Sequence, residues 1–415
     1  MRRLSVRKYS YLILWLGLLA AVAGVWFFGG EGGGGEGSQT PPTSQGTAQP
    51  SLSPTAQANP EEEDTLVGVW VPYFSLATSE GTQEAFEANY RQIADTALEK
   101  GINAMFVHVR PFSDALYPSQ YYPWSHVLTG TQGQDPGFDP LQFMIDYTHS
   151  LGMEFHAWLN PLRVKTSETP SALAENNPYY TLGAESPDYF MEWEGGVYLN
   201  PAYPTVRALI ANGAAEIAAN YDVDGIHFDD YFYPTEDASL DSPAYDAYVQ
   251  SVENPLPLLE WRKDNINAMV AQVYSAIKQA NSQVVFGISP QGNIQNDEAM
   301  GADVETWAAV PGYVDYLAPQ LYFSFENEAL GYLDALEEWA NLPRHEDLEL
   351  YAGLALYKVG TDADNGTWLG RDDIIALQAE AALDAGYEGV ILYSSDYLSG
   401  EQTEKELENA MAVLE

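Results

Sequence analysis

Two aspartates, Asp229 and Asp230, stand side by side where an apolar run gives out in VDGIHFDDYFYP, residues 223–234. Adjacent carboxylates repel one another unless one is paired or takes up a proton. A pair split in that way, one ionised and one protonated, is what glycosidic bond cleavage and related acid–base chemistry require. Other polar residues close other apolar runs: His108 and Arg110, His156 and Asn160, His227, Ser289 and Gln291, Gln320 and Tyr322.

The three histidines among these raise a metal reading. The sequence has no H-x-H pair, no H-E-x-x-H helix and no cysteine, so the ligand spacing of such sites is missing. The histidines therefore read as hydrogen-bonding partners of a substrate or of Asp229, with no metal and no cofactor. The loop DADNGTWLGRDD, 362–373, resembles part of a calcium loop but lacks its third acid and distal Glu. A deacetylase or esterase would need a metal or a serine nucleophile, and no G-x-S-x-G is present.

Eight short apolar runs must position these residues: 66–73, 102–109, 153–160, 223–229, 284–289, 314–322, 350–357 and 389–395. Amphipathic segments alternate with them. Thr82 can cap one that Gly101 stops; Asp139 caps another, with Pro140 at its first position and Gly152 at its end. Long crossovers between strands imply a parallel sheet, and eight strand–helix units imply a (β/α)8 TIM barrel with its site at the C-terminal strand ends. The open doubly wound sheet is disfavoured because no G-x-G-x-x-G turn follows the first run.

Strand alternation then sorts side chains by face. It turns His108, Arg110, His156, Trp158, Asn160, His227, Asp229, Ser289, Gln291, Gln320, Tyr322 and Tyr357 into the barrel, leaves Asp230 at the rim and puts Asp224 at the far end. Polar groups inside a barrel are costly unless they bond one another or a ligand. Trp70, Trp124, Trp158, Trp193, Trp307 and Trp368 stand at or just beyond strand ends, and indole faces suit sugar rings. Of these, Trp70, Trp158 and Trp368 join the polar set as candidate substrate contacts.

The 415 residues carry a net charge of −43. Phosphate binding needs clustered Lys and Arg, so nucleic acid is excluded as a partner. A basic cluster, Arg2, Arg3, Arg7 and Lys8, precedes the apolar segment 11–28. As a helix that segment would reach ~27 Å, a bilayer core. The sequence thus divides into a basic stub with an anchor (1–28), a Gly/Ser/Pro-rich linker (29–64) and the barrel (65–415). The charge bias places the barrel outside a cell membrane. Secretion after cleavage near Ala21 and Ala23 is the alternative.

Seven blocks in order carry a family resemblance: GVWV (68–71), INAMFVHVRPFSDALYPS (102–119), GFDPLQFMIDYTHSLGMEFHAWLNPLRV (137–164), YLNPAYPTVR (198–207), DVDGIHFDDYFYP (222–234), GISPQGN (287–293) and VDYLAPQLYF (314–323). Over residues 65–400 the chain resembles the "family-ten-like" glycosyl-hydrolase-like barrels of bacterial cell envelopes. The resemblance implies a hydrolase of bacterial glycans, including peptidoglycan strands stripped of peptides. Family members are often lipoproteins, a pattern from which this cysteine-free chain departs.

Two mechanisms fit DGIHFDD. Asp229 could be a nucleophile, as in alpha-amylase-like barrels with a similar D-G-x-x-x-D segment. That version needs a second carboxyl on another strand, and the fifth strand offers Ser289, Pro290 and Gln291. In the other, Asp229 orients the acetamido group of an N-acetyl sugar while Asp230 protonates the leaving oxygen, as paired acids do in hexosaminidase-type barrels. The stretch also looks like the chitinase strand-four signature without its Glu. Asp114 and Asp396 are spare acids that could complete a pair. The non-enzymatic alternative is an inert glycan-binding barrel that localises to the wall.

Overall fold

The computed structural model describes residues 65–230 and 232–414. The expected anchor (11–28) and linker (29–64) lie outside the described residues. Among the described residues no helix is long and apolar enough to cross a membrane.

Eleven strands run in chain order: β1 (Leu66–Val71), β2 (Ala104–Arg110), β3 (Glu154–Leu159), β4 (Arg163–Lys165), β5 (Phe190–Trp193), β6 (Gly196–Leu199), β7 (Gly225–Phe228), β8 (Val285–Ile288), β9 (Tyr316–Leu317), β10 (Glu349–Leu354) and β11 (Gly389–Tyr393). Eight of them close a parallel barrel in the order β1-β11-β10-β9-β8-β7-β3-β2. Closure is made by β11 against β1, with Gly389 opposite Leu66 and Tyr393 opposite Trp70. All eight sequence-derived strands are present, and the open doubly wound sheet is ruled out.

The helices begin and end where the punctuation residues require. Thr82 Oγ1 accepts from the Ala85 amide to open the helix Gln83–Glu99, and Gly101 follows at φ 81°. Asp139 caps Pro140–Ser150, with Gly152 beyond it at φ 77°.

A repeating device frames the N-terminal end of the barrel. The Asn103 side chain, just before β2, accepts from the Val67 amide on β1 at 2.8 Å. Asp224, before β7, accepts from Phe155 on β3 at 2.7 Å. Asp315, before β9, accepts from Phe286 on β8 at 2.7 Å. Glu388, before β11, accepts from Leu350 on β10 at 2.7 Å. Every second strand interface is thus closed by one side chain that satisfies an otherwise unpaired backbone donor.

The barrel interior is aromatic. Trp70, Phe106, Trp158, Tyr316 and Tyr351 cluster there with Ala104, Ala318 and Ile391. Glycine makes the room: a Cβ on Gly225 would lie 2.2 Å from the His156 ring, and one on Gly287 would lie 2.1 Å from the Tyr316 ring. Filling an eight-stranded barrel with rings in this way leaves polar edges inside, and these bond one another.

Three departures from the sequence expectation matter. The sixth strand, expected over 314–322, keeps only Tyr316–Leu317, with Gln320 rejoining as an isolated bridge. Pro319 has no amide to give to a ladder. β2 carries a bulge between His108 and Arg110, so that Arg110 pairs with Leu159 and alternation is lost. A three-stranded antiparallel sheet, β4-β6-β5, stands between the third and fourth expected strands, where the sequence analysis placed no strand.

Candidate active site

The central cavity, ≈ 390 Å³, opens at the C-terminal ends of the barrel strands. Asp229 follows β7 directly, so strand direction aims it into the cavity. The Trp158 indole N–H donates to its Oδ2 at 3.1 Å, and Asn160 Nδ2 donates to both oxygens at 3.3 and 3.1 Å. Those donors come from the adjacent strand end, β3. Asn160 is itself fixed, because its Oδ1 accepts from the Arg163 amide at 3.0 Å.

Asp230 also lines this cavity, which corrects its expected place at the rim. Its Oδ1 accepts from Gln320 Nε2 at 3.1 Å, and the same nitrogen donates to the Ser289 carbonyl. Burial pushes its carboxyl above the usual range, against the pull of Gln320, its own backbone amide and the Arg163 charge. The two neighbours are thus held in unlike environments. Arg262 pins the loop beyond them, with Asp241 accepting from Nε and Nη2 at 3.0 and 2.6 Å.

His108 lines the cavity, stacked on Trp158 at 3.9 Å between ring centroids. Burial lowers its pKa well below the ordinary value, helped by the Arg163 charge, so its ring is neutral. Both of its ring nitrogens are buried without a partner among the described residues. A buried polar group in that state is costly unless a ligand or water meets it.

His227 and His156 lie under the cavity. Nε2 of His227 accepts from the Trp70 indole at 3.1 Å, with Ser289 Oγ at 3.0 Å, and Nδ1 faces the Tyr316 hydroxyl at 2.9 Å. Acceptance at Nε2 fixes the Nδ1–H tautomer. Burial also lowers the His227 pKa, with His156 adding to the effect. His156 stacks on Phe106 at 4.4 Å, and its Nε2 bonds Glu154 at 3.1 Å. Both therefore support the floor and do not line the cavity.

Trp70, Gln320 and Tyr322 line the cavity, together with Ser289 and Tyr357. Other expected contacts do not. The bulge turns Arg110 outward, its guanidinium 4.7 Å from the Tyr122 ring centroid and facing Gly213 of the helix Pro204–Asn220. Trp368 is fully buried and donates to Asp364 at 3.1 Å. Asp364 also accepts from the Ser324 amide and pairs with Lys358, so the calcium-like loop turns this acid onto protein donors. Gln291 borders a neighbouring cavity. Asp114 is consumed by the Phe112 amide and Gln132, and Asp396 accepts from Ser75.

Sequence reasoning missed Tyr73, Phe74, Arg163 and Tyr393, all of which line the cavity. Arg163 arrives on β4, where Nε donates to the Pro111 carbonyl and the guanidinium covers Phe112 at 4.7 Å. It is the sole Arg or Lys among the lining residues. The block HAWLNPLRV contained it, but only the small sheet shows where it points.

The chain is 34% identical over 340 residues to Glycosyl hydrolase YngK of Bacillus subtilis (strain 168), covering 75% of this chain and 65% of that protein. It is 33% identical over 404 residues to Glycosyl hydrolase DigH of Escherichia coli (strain K12), covering 88% of this chain and 91% of that one. The glycoside hydrolase domain of PgaB (BpsB) from Bordetella bronchiseptica shares the fold, with TM-score 0.56 and 14% identity over 84% of this chain and 99% of that one. The model of Glycosyl hydrolase-like 10 matches residues 66–369, and the chain belongs to that family.

Proposed function

We propose that this protein is a glycoside hydrolase acting on bacterial cell-wall glycan, including peptidoglycan strands freed of peptides, outside the cytoplasmic membrane, where the segment 11–28 tethers it. One observation carries the reading: two adjacent carboxylates at one strand end line one cavity, one accepting from the Trp158 and Asn160 side chains and the other raised by burial. Environments that push two acids apart assign base and acid roles.

Among the residues lining the cavity these are the only two acids. That favours substrate assistance over an amylase-like Asp229 nucleophile. The acetamido oxygen of an N-acetyl sugar attacks C1 as the C1–O bond breaks, and the Asp230 proton passes to the leaving oxygen. Asp229 accepts from the acetamido N–H, which steers the oxygen toward C1 and offsets the positive charge that develops. Water then opens the cyclic intermediate and returns a proton to Asp230.

The test incubates purified protein with amidase-treated peptidoglycan and analyses soluble products by mass spectrometry. Disaccharides released by the wild type and lost in Asp229→Asn and Asp230→Asn are the expected result. Unchanged turnover in both variants sinks the assignment, and wall binding without products marks the inert glycan-binding barrel.

A further inference from the structure

The central cavity does not end at Asp230. That residue also lines an adjoining cavity of ≈ 380 Å³, whose wall includes Trp193, Tyr198 and Tyr233. Trp193, Glu194 and Gly196 in turn border an outer cavity of ≈ 700 Å³ that carries Tyr179 and Tyr180. The three spaces therefore share walls in series, beginning at the acid pair and ending over the small antiparallel sheet.

That sheet is built into the site. β5 and β6 join through a two-residue turn, Glu194 at φ 47° and Gly195 at φ 80°. Left-handed pairs of this kind fold tight hairpins and set Trp193 beside the tip. β6 pairs with β4, with Tyr198 opposite Arg163. Arg163 lines the central cavity, and its amide bonds the same Asn160 that holds Asp229. One continuous hydrogen-bonded path thus joins the hairpin to the carboxylate.

We propose that these cavities form one extended cleft for a glycan chain, with Trp193 as a stacking platform beyond the cleavage point. The proposal rests on the carbohydrate reading above and deepens it. Half-buried indole and phenol faces offer stacking for pyranose C–H faces. The carboxylates of Glu192 and Glu194 accept from hydroxyls at the outer end, where Lys165 is the one cation among the lining residues. The cleft makes affinity depend on chain length.

The test is calorimetric titration of the full chain carrying Asp229→Asn, which silences turnover, with a sugar dimer and a sugar hexamer prepared from peptide-free peptidoglycan strands. The hexamer binds at least about tenfold more tightly than the dimer, the scale of one added ring-stacking contact. Adding Trp193→Ala closes most of that gap. Adding Tyr180→Ala instead, a side chain half exposed in the outer cavity and therefore safe for folding, narrows it less. Equal affinity for both ligands, or a hexamer affinity untouched by both variants, overturns the cleft while leaving the central site in place. Failure of both ligands to bind overturns the carbohydrate reading and the cleft with it.

Discussion

At the N-terminal end of the barrel, Asp224, Asp315 and Glu388 each face a backbone amide of the preceding strand. At the C-terminal end, Asp229 and Asp230 accept from the side chains of Trp158, Asn160 and Gln320 and open onto a cavity. Both ends hold acids beside strands, and both satisfy them. A carboxylate that closes a backbone ladder cannot reach a substrate without opening the barrel. One that leans on side chains can exchange a partner at little cost to the frame. The partners of an acid thus separate framework from chemistry more cleanly than its burial does.

The largest effect expected from this contrast is on rate. Asp229→Asn lowers kcat about 10³-fold or more, the scale of removing a catalytic group, while the melting temperature stays within about 2 °C. Asp224→Asn, which keeps an acceptor for the Phe155 amide, leaves kcat within about twofold. Equal losses in the two variants would break the comparison. One step further from the reaction, Trp158→Phe keeps a ring for His108 to stack on and removes one donor to Asp229. Loss of an outer partner that orients a functional group costs about 10–100-fold in activity, and an effect confined to KM would show that Trp158 serves binding alone.

Much of the frame was legible. Eight apolar runs flanked by Thr82, Asp139, Gly101 and Gly152 specify strands and helices through local rules, and their spacing leaves a parallel barrel as the economical arrangement. The site was legible where alternation holds, as at His108, Trp158 and Asp229. It failed at Arg110, because a bulge depends on how β2 meets β3 and leaves no mark in β2 itself. It failed again at Arg163, whose direction is set by pairing with β6, more than thirty residues later. The turn residues Glu194-Gly195 and the alternating run around them were the available signal for that hairpin. Trp368 misled because a tryptophan in a rim loop can be turned inward to hold the loop, and only its bond to Asp364 shows which way it faces.

The framework half of the comparison makes a stability prediction. Asp315→Ala leaves the Phe286 amide without its acceptor and removes the partner of Lys278. An orphaned buried donor costs about 1–3 kcal/mol, measured as a shift of the urea midpoint at constant slope. Activity per folded molecule stays unchanged. A large loss of kcat would mean that the two ends of the barrel are coupled.

The smallest expected effect is also the most discriminating. Burial raises the Asp230 carboxyl in the folded chain above its unfolded value, so the folded state holds that proton more tightly. The stability it contributes is fully present below the unfolded pKa and is lost as pH rises through the folded one. Above its unfolded pKa the buried acid is therefore a net cost that Asn does not carry, and Asn still offers Gln320 an acceptor. Asp230→Asn accordingly raises the melting temperature near pH 7 by about 1–3 °C and loses that gain as pH falls toward 4, while remaining inactive throughout. The sign separates the two ends of the barrel, since a framework acid held by a backbone amide destabilises when replaced. A fall in melting temperature for Asp230→Asn at neutral pH would move Asp230 from the chemistry to the frame.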